Sequence, residues 1–318
     1  MRALVSLPKP PFAELAEVAE PRPQANQALV SVKAFSLNRG ETRRLERMEP
    51  GTVTGWDLAG VVTEPAADGS GPPAGAHVVG VASFGPHVVG VVSSGAWAER
   101  VAVATEFLAE LPEGMSFEQA ATLPVAGLTA LRSLEHAGFV LGKRVLITGG
   151  SGGVGRFAIQ LAKLAGAHVT AVARRMDGLS ALGADEVLPE LDVEGRDFDV
   201  ILDAIGGPVL GLALQRVAPL GTVISFGATV PEPVSYPTRE LFSRAPGARL
   251  IGFYIFSELE HTRSASADLR RLADLVAAGL LDPQIALTTS WSEAASAIQA
   301  LLERRVAGKA VLTVQGTN

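Results

Sequence analysis

The stretch Ile147-Thr148-Gly149-Gly150-Ser151-Gly152-Gly153-Val154-Gly155 joins a β-branched run, Arg144–Thr148, to an amphipathic run, Val154–Ala165. Three of its glycines stand at the spacing G-x-G-x-x-G: Gly150, Gly152 and Gly155. A strand that turns sharply into a helix directs N–H groups of the helix N-terminus at a pyrophosphate, which the helix dipole also attracts. The spacing alone is a weak signal in a chain with 34 glycines. Because strand and helix patterns flank it, the stretch predicts a dinucleotide-binding turn.

The residues after the second predicted strand select the cofactor. That strand, His168–Ala173, is followed by Arg174 and Arg175. A site for NAD usually carries Asp or Glu about 20 residues after the glycines, where it binds the ribose 2′-hydroxyl. No carboxylate occupies that point here. Guanidinium groups suit a 2′-phosphate because their planar fork makes bidentate, charge-assisted bonds. We therefore predict NADP(H), with both arginines at the phosphate.

Composition and charge restrict the partners. The chain has 318 residues, 47% of them hydrophobic and 19% charged, so it is long enough for two domains with sizeable cores. Its net charge of −6 gives no basic footprint for nucleic acid or an anionic membrane. The amino terminus lacks the apolar region of a signal peptide, and no uncharged apolar stretch is long enough to span a bilayer. We expect a cytoplasmic protein with a small-molecule substrate.

The chain contains no cysteine. This excludes disulfides, a cysteine nucleophile, iron–sulfur clusters and thiolate-bound zinc. The five histidines, at positions 77, 87, 136, 168 and 261, show no paired ligand spacing. We therefore expect no metal site.

The predicted elements change character near residue 120. Before it, short alternating segments separated by Pro/Gly/Ala clusters predict a compact barrel or sandwich: Ala3–Leu7, Ala28–Ala34, Leu58–Thr63, His77–Val81 and Trp97–Val103. Two helices follow, Phe117–Leu123 and Leu128–Ala137. Strands then alternate with helices, which is typical of a parallel sheet: Arg144–Thr148, His168–Ala173, Glu186–Leu188, Asp199–Leu202, Thr222–Phe226 and Leu250–Phe253. Six such strands make a complete doubly wound sheet.

The last part of the chain contains one strand without a local partner. Helices are predicted at Ala267–Ala278 and Ser292–Arg304, and the strand Ala310–Val314 follows. The β-rich first domain could supply its partner, so the chain would leave that domain and later return to it. We predict an α/β protein with residues 1–120 and 257–318 in a β-barrel-type catalytic domain. Residues 121–256 would form a Rossmann doubly wound domain.

Several short motifs, taken in order, resemble the medium-chain dehydrogenase/reductase superfamily, in particular its zinc-free quinone oxidoreductase (zeta-crystallin-like) branch. They cover nearly the whole chain: Asn38, Gly55-Trp56-Asp57-Leu58-Ala59-Gly60-Val61-Val62, Gly95-Ala96-Trp97-Ala98-Glu99, Leu123–Ala130, Gly152–Gly155 with Gln160–Lys163, Asp203–Gly207 and Gly308–Leu312. The resemblance implies a GroES-like first domain. It also implies a homodimer that pairs the last strands of two nucleotide-binding sheets, here the edge strand Arg249–Phe253.

The resemblance also bears on the chemistry. The superfamily's alcohol dehydrogenases carry an early zinc-binding Cys and a Gly-His-Glu, where this chain has Gly55-Trp56-Asp57. Without a Lewis acid, polarising an alcohol for hydride removal is difficult. Reducing a conjugated carbonyl or a quinone is easier, because hydrogen bonds can stabilise the enolate or quinol. The expected activity is NADPH-dependent, zinc-independent reduction of a small apolar quinone or of an activated C=C in an enone or enal.

Family resemblance implies roles for individual residues. Asn38 and Thr129 would be catalytic and lie near the nicotinamide, with Asn38 as a hydrogen-bond donor to substrate or cofactor. Gly153 and Val154 would offer N–H groups to the pyrophosphate. The nicotinamide would be flanked by Phe226, Gly227, Ala228 and Phe253, and the nucleotide side closed by Gly308 and Lys309. The candidate substrate residues are Trp56, Phe84, Trp97 and Tyr254, of which the first three are equally interpretable as core.

Three alternatives stay open or are disfavoured. A short-chain dehydrogenase needs Tyr-x-x-x-Lys, yet the tyrosines, Tyr236 and Tyr254, are followed four residues later by Glu240 and Glu258. A non-catalytic NADPH-binding protein is compatible with the sequence, as is a pathway-specific reductase of an enone or enoyl thioester.

Many relatives have a tyrosine a few residues after the Asn, where this chain has Glu41-Thr42-Arg43-Arg44. A tyrosine proton donor in the first domain is therefore disfavoured.

Overall fold

The computed structural model describes residues 1–82, 95–195, 197–262 and 264–314. Its backbone contacts divide the chain into two compact units. Unit one is Met1–Leu128 with Leu259–Asn318, and unit two is Thr129–Glu258. The domain boundaries expected from the sequence, after residues 120 and 256, stay predictions.

Unit one begins with short strands and two short helices. The strands are β1 (Arg2–Ser6), β2 (Ala13–Glu17), β3 (Gln27–Leu37), β4 (Asp57–Glu64), β5 (His77–Val81), β6 (Arg100–Ala104) and β7 (Leu108–Glu110), and the helices are α1 (Arg39–Arg44) and α2 (Phe117–Ala120). The long strand β3 pairs antiparallel with both β4 and β6. Most of its side chains are buried, which agrees with its run of β-branched and apolar residues.

Unit two is built on a six-stranded parallel sheet. Its strands are β8 (Arg144–Thr148), β9 (His168–Val172), β10 (Glu186–Leu188), β11 (Phe198–Asp203), β12 (Val217–Ser225) and β13 (Arg249–Gly252), in the order β10-β9-β8-β11-β12-β13. The helices that lie mostly in this unit are α3 (Leu128–Ala137), α4 (Gly153–Leu164), α5 (Gly207–Gln215) and α6 (Thr238–Arg244). The helix α7 (Ile255–Thr262) begins in it and continues past its last residue, Glu258. The strand order reverses between β8 and β11, and such a switch point is where ligands bind at the carboxyl ends of the strands. This confirms the predicted doubly wound sheet.

The chain then returns to unit one. Two helices, α8 (Ser266–Ala277) and α9 (Ala294–Leu302), accompany the strands β14 (Ile285–Ser290) and β15 (Lys309–Thr313). The last strand pairs antiparallel with β3, so that Ala310 lies opposite Leu37. The prediction that the β-rich domain supplies its partner is therefore confirmed, and residues near position 309 lie beside the end of β3.

Some local predictions were wrong. The predicted helix Phe117–Leu123 ends at Ala120, and a π-turn covers Leu123–Gly127. Pro124 is the physical reason, because it offers no N–H donor to a continuing helix. The short strands β2 and β7, and the partly exposed strand β14, escaped prediction. In the described ranges no helix has the length and hydropathy needed to cross a bilayer.

Candidate active site

The glycine turn after β8 lies at the switch point of the sheet. The helix α4 begins after the N-cap residue Gly152. The left-handed residue of the turn is Gly149, with φ +68°, one residue before the first glycine of the G-x-G-x-x-G spacing. At Gly155 a Cβ atom would lie 2.5 Å from the carbonyl oxygen of Gly149, so a glycine is needed for α4 to approach the turn. At Gly152 a Cβ would meet only that oxygen, at 3.4 Å.

These contacts separate two kinds of glycine. Gly155 is required by the packing of the helix on the turn, whereas Gly152 is not. The space in front of Gly152 is therefore open at a helix N-terminus, where N–H groups have no partner within the helix. The turn fits the pyrophosphate of a dinucleotide, since that position needs close approach of the ligand to backbone.

A buried aspartate joins the carboxyl ends of three neighbouring strands. Asp203, the last residue of β11, accepts a hydrogen bond from the Thr148 hydroxyl at 2.6 Å and from the Ser225 hydroxyl at 3.4 Å. Its carboxylate also accepts from the N–H of Gly206 at 2.9 Å. Burial raises the pKa of Asp203 above its ordinary value, and these donors partly offset the effect. Asp203 therefore fixes the loops at the nucleotide edge, by which we mean the carboxyl ends of β8, β11 and β12.

The two arginines predicted at the cofactor phosphate lie in an exposed loop after β9, at positions 174–178. Both Arg174 and Arg175 are exposed. The loop is followed by Leu179, whose side chain is fully buried. The geometry keeps the loop close to the sheet while its charged side chains stay in solvent.

The residues predicted around the nicotinamide also occur at strand ends in unit two. Phe226, Gly227 and Ala228 follow β12, and Phe253 and Tyr254 follow β13. The Phe253 ring is buried and meets His136 edge-on, with ring centroids 5.4 Å apart. Tyr254 is 51% exposed. Thr129 is buried in the first turn of α3. The roles proposed for these residues stay predictions.

Unit one contains a buried polar network centred on Asp57. One carboxylate oxygen of Asp57 accepts from the Ser36 hydroxyl at 2.5 Å, the Asn38 amide at 2.7 Å and the Lys309 ammonium at 3.2 Å. The other accepts from the N–H of Val125 at 2.9 Å. Lys309 also donates to the Asn38 amide oxygen at 2.8 Å. The polar network, meaning Ser36, Asn38, Asp57 and Lys309, thus ties together β3, β4 and β15.

Glu41 is completely buried beside this network. Its carboxyl group accepts from the N–H of Asn38 at 2.6 Å and from the N–H of Trp56 at 3.0 Å. Burial raises the pKa of Glu41 well above its ordinary value, and the charge of Asp57 adds to the increase, whereas Lys309 and the two N–H groups oppose it. The sequence held a signal for this position, because Asn followed three residues later by Glu is a capping pattern.

The network does not fit a zinc ion. Alcohol dehydrogenases of the superfamily that the sequence resembles carry Gly-His-Glu. This chain has Trp56 at the position of that histidine, and an indole is no zinc ligand. The carboxylate of the neighbouring Asp57 is already bound by an ammonium group and three neutral donors. A second cation there would face the charge of Lys309. Among the described residues, no three His, Cys, Asp or Glu side chains cluster as metal ligands would.

The structure also shows the surroundings of the other predicted residues. Lys309, predicted at the nucleotide side, has a side chain that is 2% exposed and donates to Asn38 within unit one; its role toward the cofactor stays a prediction. Gly308 precedes it with φ +124°. Trp97 is fully buried and stacks on Phe35, and Trp56 is buried under the guanidinium of Arg44. These contacts favour the core interpretation for both tryptophans. Phe84 lies outside the described residues.

A doubly wound unit with a glycine turn at its switch point, joined to a β-rich unit, defines a two-domain nucleotide-dependent oxidoreductase. The comparisons agree. The alcohol dehydrogenase GroES-like domain family matches residues 24–113, and the zinc-binding dehydrogenase family matches residues 182–312. The chain belongs to the medium-chain dehydrogenase/reductase superfamily, and quinone oxidoreductases are among its relatives.

Three relatives illustrate this. A chloroplast envelope quinone oxidoreductase homolog of Arabidopsis thaliana is 41% identical over 235 residues, which are 66% of this chain and 69% of that protein. The 2-methylene-furan-3-one reductase of Solanum lycopersicum is 36% identical over 59% of this chain, and the match spans only 52% of that reductase. The structure of the quinone oxidoreductase from Coxiella burnetii superposes with a TM-score of 0.81 at 30% identity and covers 99% of both chains. The predicted family and fold class are thereby confirmed.

Proposed function

We propose that this oxidoreductase reduces a quinone, or the activated C=C of an enone or enal, with NADPH and without zinc. The observation that carries the proposal is the hydrogen-bonded arrangement of Asp57, Asn38 and Lys309. It places an ammonium group and an amide on Asp57, within the Gly55-Trp56-Asp57 stretch that stands where the superfamily's alcohol dehydrogenases carry Gly-His-Glu. Without a Lewis acid, a substrate whose negative charge spreads over an enolate or quinol is the one that hydrogen bonds can activate. The names of the two quinone oxidoreductases and of the furanone reductase support the same substrate class.

The residues of unit two supply the binding half of the reaction. NADPH, when bound, provides the hydride. The N-terminus of α4 after Gly152 would hold the pyrophosphate, with the N–H groups of Gly153 and Val154 as donors. Arg174 and Arg175 would hold the 2′-phosphate, because both are exposed in the loop directly after β9.

Turnover tests the function directly. Oxidation of NADPH is followed with a panel of quinones, enones and enoyl thioesters, before and after exhaustive chelation. We expect steady turnover with a quinone or an enone and no loss of rate after chelation. A protein that binds NADPH but consumes it with no electrophile is the non-catalytic alternative, and a rate that disappears with the chelated metal contradicts zinc independence. Turnover confined to enoyl thioesters would contradict the proposed substrate class and indicate a pathway-specific enoyl-thioester reductase.

The cofactor assignment has its own test. Replacing both Arg174 and Arg175 with Ala removes two guanidinium groups, each worth about 1.5–3 kcal/mol in charge-assisted hydrogen bonds. NADPH should therefore bind much more weakly, whereas the affinity for NADH should stay close to that of the wild type. Fluorescence titration with both nucleotides measures this. Equal losses for the two would refute the 2′-phosphate assignment.

A further inference from the structure

Arg156 is a buried arginine in the first turn of α4. Its side chain is only 7% exposed. The Nε group donates to the carbonyl oxygen of Ser151 at 3.3 Å, and an Nη group donates to the carbonyl oxygen of Asp177 at 3.2 Å. Ser151 belongs to the glycine turn, and Asp177 belongs to the exposed loop that carries Arg174 and Arg175. One side chain thus bonds to both parts of the predicted nucleotide site.

Burying a guanidinium group is costly unless it makes several hydrogen bonds. An apolar side chain could fill the same space without that cost, so packing alone does not explain an arginine here. What the guanidinium adds is a pair of bonds to backbone carbonyls on separate segments of the chain.

The loop at positions 174–178 is also bonded at its last residue, where the carbonyl of Gly178 accepts from the N–H of Leu182 at 3.2 Å. Its residues are exposed throughout, although the N–H of Leu179 donates to the carbonyl of Met176 at 3.2 Å. A loop that must be ordered on binding costs affinity, and a loop held beforehand avoids that cost. The bond from Arg156 holds the loop at Asp177, next to its last residue.

We propose that Arg156 is a positioning residue that determines selectivity for 2′-phosphorylated nucleotides, by tying the loop of Arg174 and Arg175 to the pyrophosphate turn. The inference rests on the proposed use of NADPH. Because the guanidinium is buried, it acts through the loop and not by contact with the phosphate. Its loss should therefore weaken recognition of the 2′-phosphate more than recognition of the pyrophosphate.

The test uses nucleotides without nicotinamide, so it is independent of turnover. Adenosine 2′,5′-bisphosphate carries the 2′-phosphate and ADP carries the diphosphate without it, and both are titrated calorimetrically. In R156M the affinity for the bisphosphate should fall about tenfold, as expected for one lost hydrogen bond to a charged group, while that for ADP changes less than about twofold. R156K keeps the charge with a single donor group and should recover part of the loss.

Arg216 provides a matched control. It is also buried, at 5% exposed, and donates to the carbonyl oxygen of Asp192. It directly precedes β12, at the amino end of the sheet and so away from the nucleotide edge. R216M should lower the melting temperature without changing the ratio of the two affinities.

The outcomes separate the two hypotheses. If the wild-type protein binds adenosine 2′,5′-bisphosphate no more tightly than ADP, the NADPH assignment itself is refuted. A selective wild type whose selectivity persists in R156M, or is lost equally in R216M, overturns the positioning role of Arg156. If R156M does not fold, R156K decides by the same ratio, and a wild-type ratio in R156K overturns the proposal.

Discussion

Glu41 shows how its surroundings change the protonation of a single buried group. Its carboxyl group lies in the interior beside Asp57 and Lys309. Burial, and then the charge of Asp57, raise its pKa well above the ordinary value. In the unfolded chain the Glu41 carboxyl group has its ordinary pKa of about 4.3 and loses its proton near that pH. The folded state keeps this proton to a higher pH. Between these two pKa values the folded state binds more protons, so stability falls as the pH rises.

Replacing Glu41 with Gln tests this directly. The neutral amide cannot ionise, so the free energy of unfolding of E41Q should lose this part of its decline with rising pH. Each unit by which the pKa is raised corresponds to about 1.4 kcal/mol. Urea unfolding of wild type and E41Q, at about pH 5 and about pH 8, measures the difference between the two slopes. Asp203, whose pKa burial also raises, contributes equally to both proteins and cancels.

The control is E64Q, because Glu64 is exposed at the end of β4. Its pH dependence should match that of the wild type. If E41Q declines with pH as steeply as the wild type, Glu41 is ionised in the folded protein.

At the same scale, local patterns and long-range contacts differ in what the sequence can predict. The glycine turn could be predicted because a turn is a local pattern. Lys309 was assigned to the nucleotide because of its Gly-Lys motif, whereas its partners Asp57 and Asn38 lie 252 and 271 residues away along the chain. No local spacing encodes such contacts. Glu41 was noticed only as a departure from the family, because burial is a property of the folded chain.

The strand–turn–helix element of unit two carries the clearest prediction of ligand binding. Gly152 has φ −80° and ψ 170°, a conformation that any residue adopts. Valine there should leave the fold intact, yet its side chain would hold the pyrophosphate away from the backbone. We expect G152V to keep the wild-type melting temperature and to lose binding of both NADPH and NADH. Thermal melts and fluorescence titration measure the two properties.

Gly155 is the contrasting position in the same element. A Cβ there would lie 2.5 Å from the carbonyl oxygen of Gly149, so alanine forces backbone to move. Overpacking of this kind costs about 1–3 kcal/mol. G155A should therefore lower the melting temperature where G152V does not. Retention of NADPH binding in folded G152V would place the nucleotide elsewhere.

Elements with strong periodicity were the predictable ones. The strand Arg144–Thr148 and the helix Leu128–Ala137 have the predicted bounds, since both have long buried patterns. The strands β2 and β14 were missed because they alternate with few buried side chains. Their pairing partners, and not their own residues, hold them in place. Local sequence predicts elements that carry their own apolar face, and tertiary pairing supplies the rest.

At the scale of the whole molecule, the edge of the parallel sheet predicts the assembly. In the described residues β13 pairs with β12 on one side. Leu250 is 53% exposed. The N–H of Phe253 donates to the carbonyl of Ser225 at 2.8 Å. Because successive N–H groups of a strand point in opposite directions, those of Leu250 and Gly252 point away from β12. An unpaired apolar edge of this kind is covered when two copies pair across a two-fold axis.

We predict a homodimer through β13, as the family resemblance also implies. Proline at Leu250 removes a donor that faces the partner and leaves the bonds to β12 in place, whereas proline at Ile251 would break the sheet itself. L250P should therefore be a folded monomer in size-exclusion chromatography with light scattering. The control is F139K, since Phe139 is an exposed apolar residue of the same unit outside the sheet edge, and it should remain dimeric. A dimer that survives in folded L250P would mean that the helix α7 or another surface forms the interface.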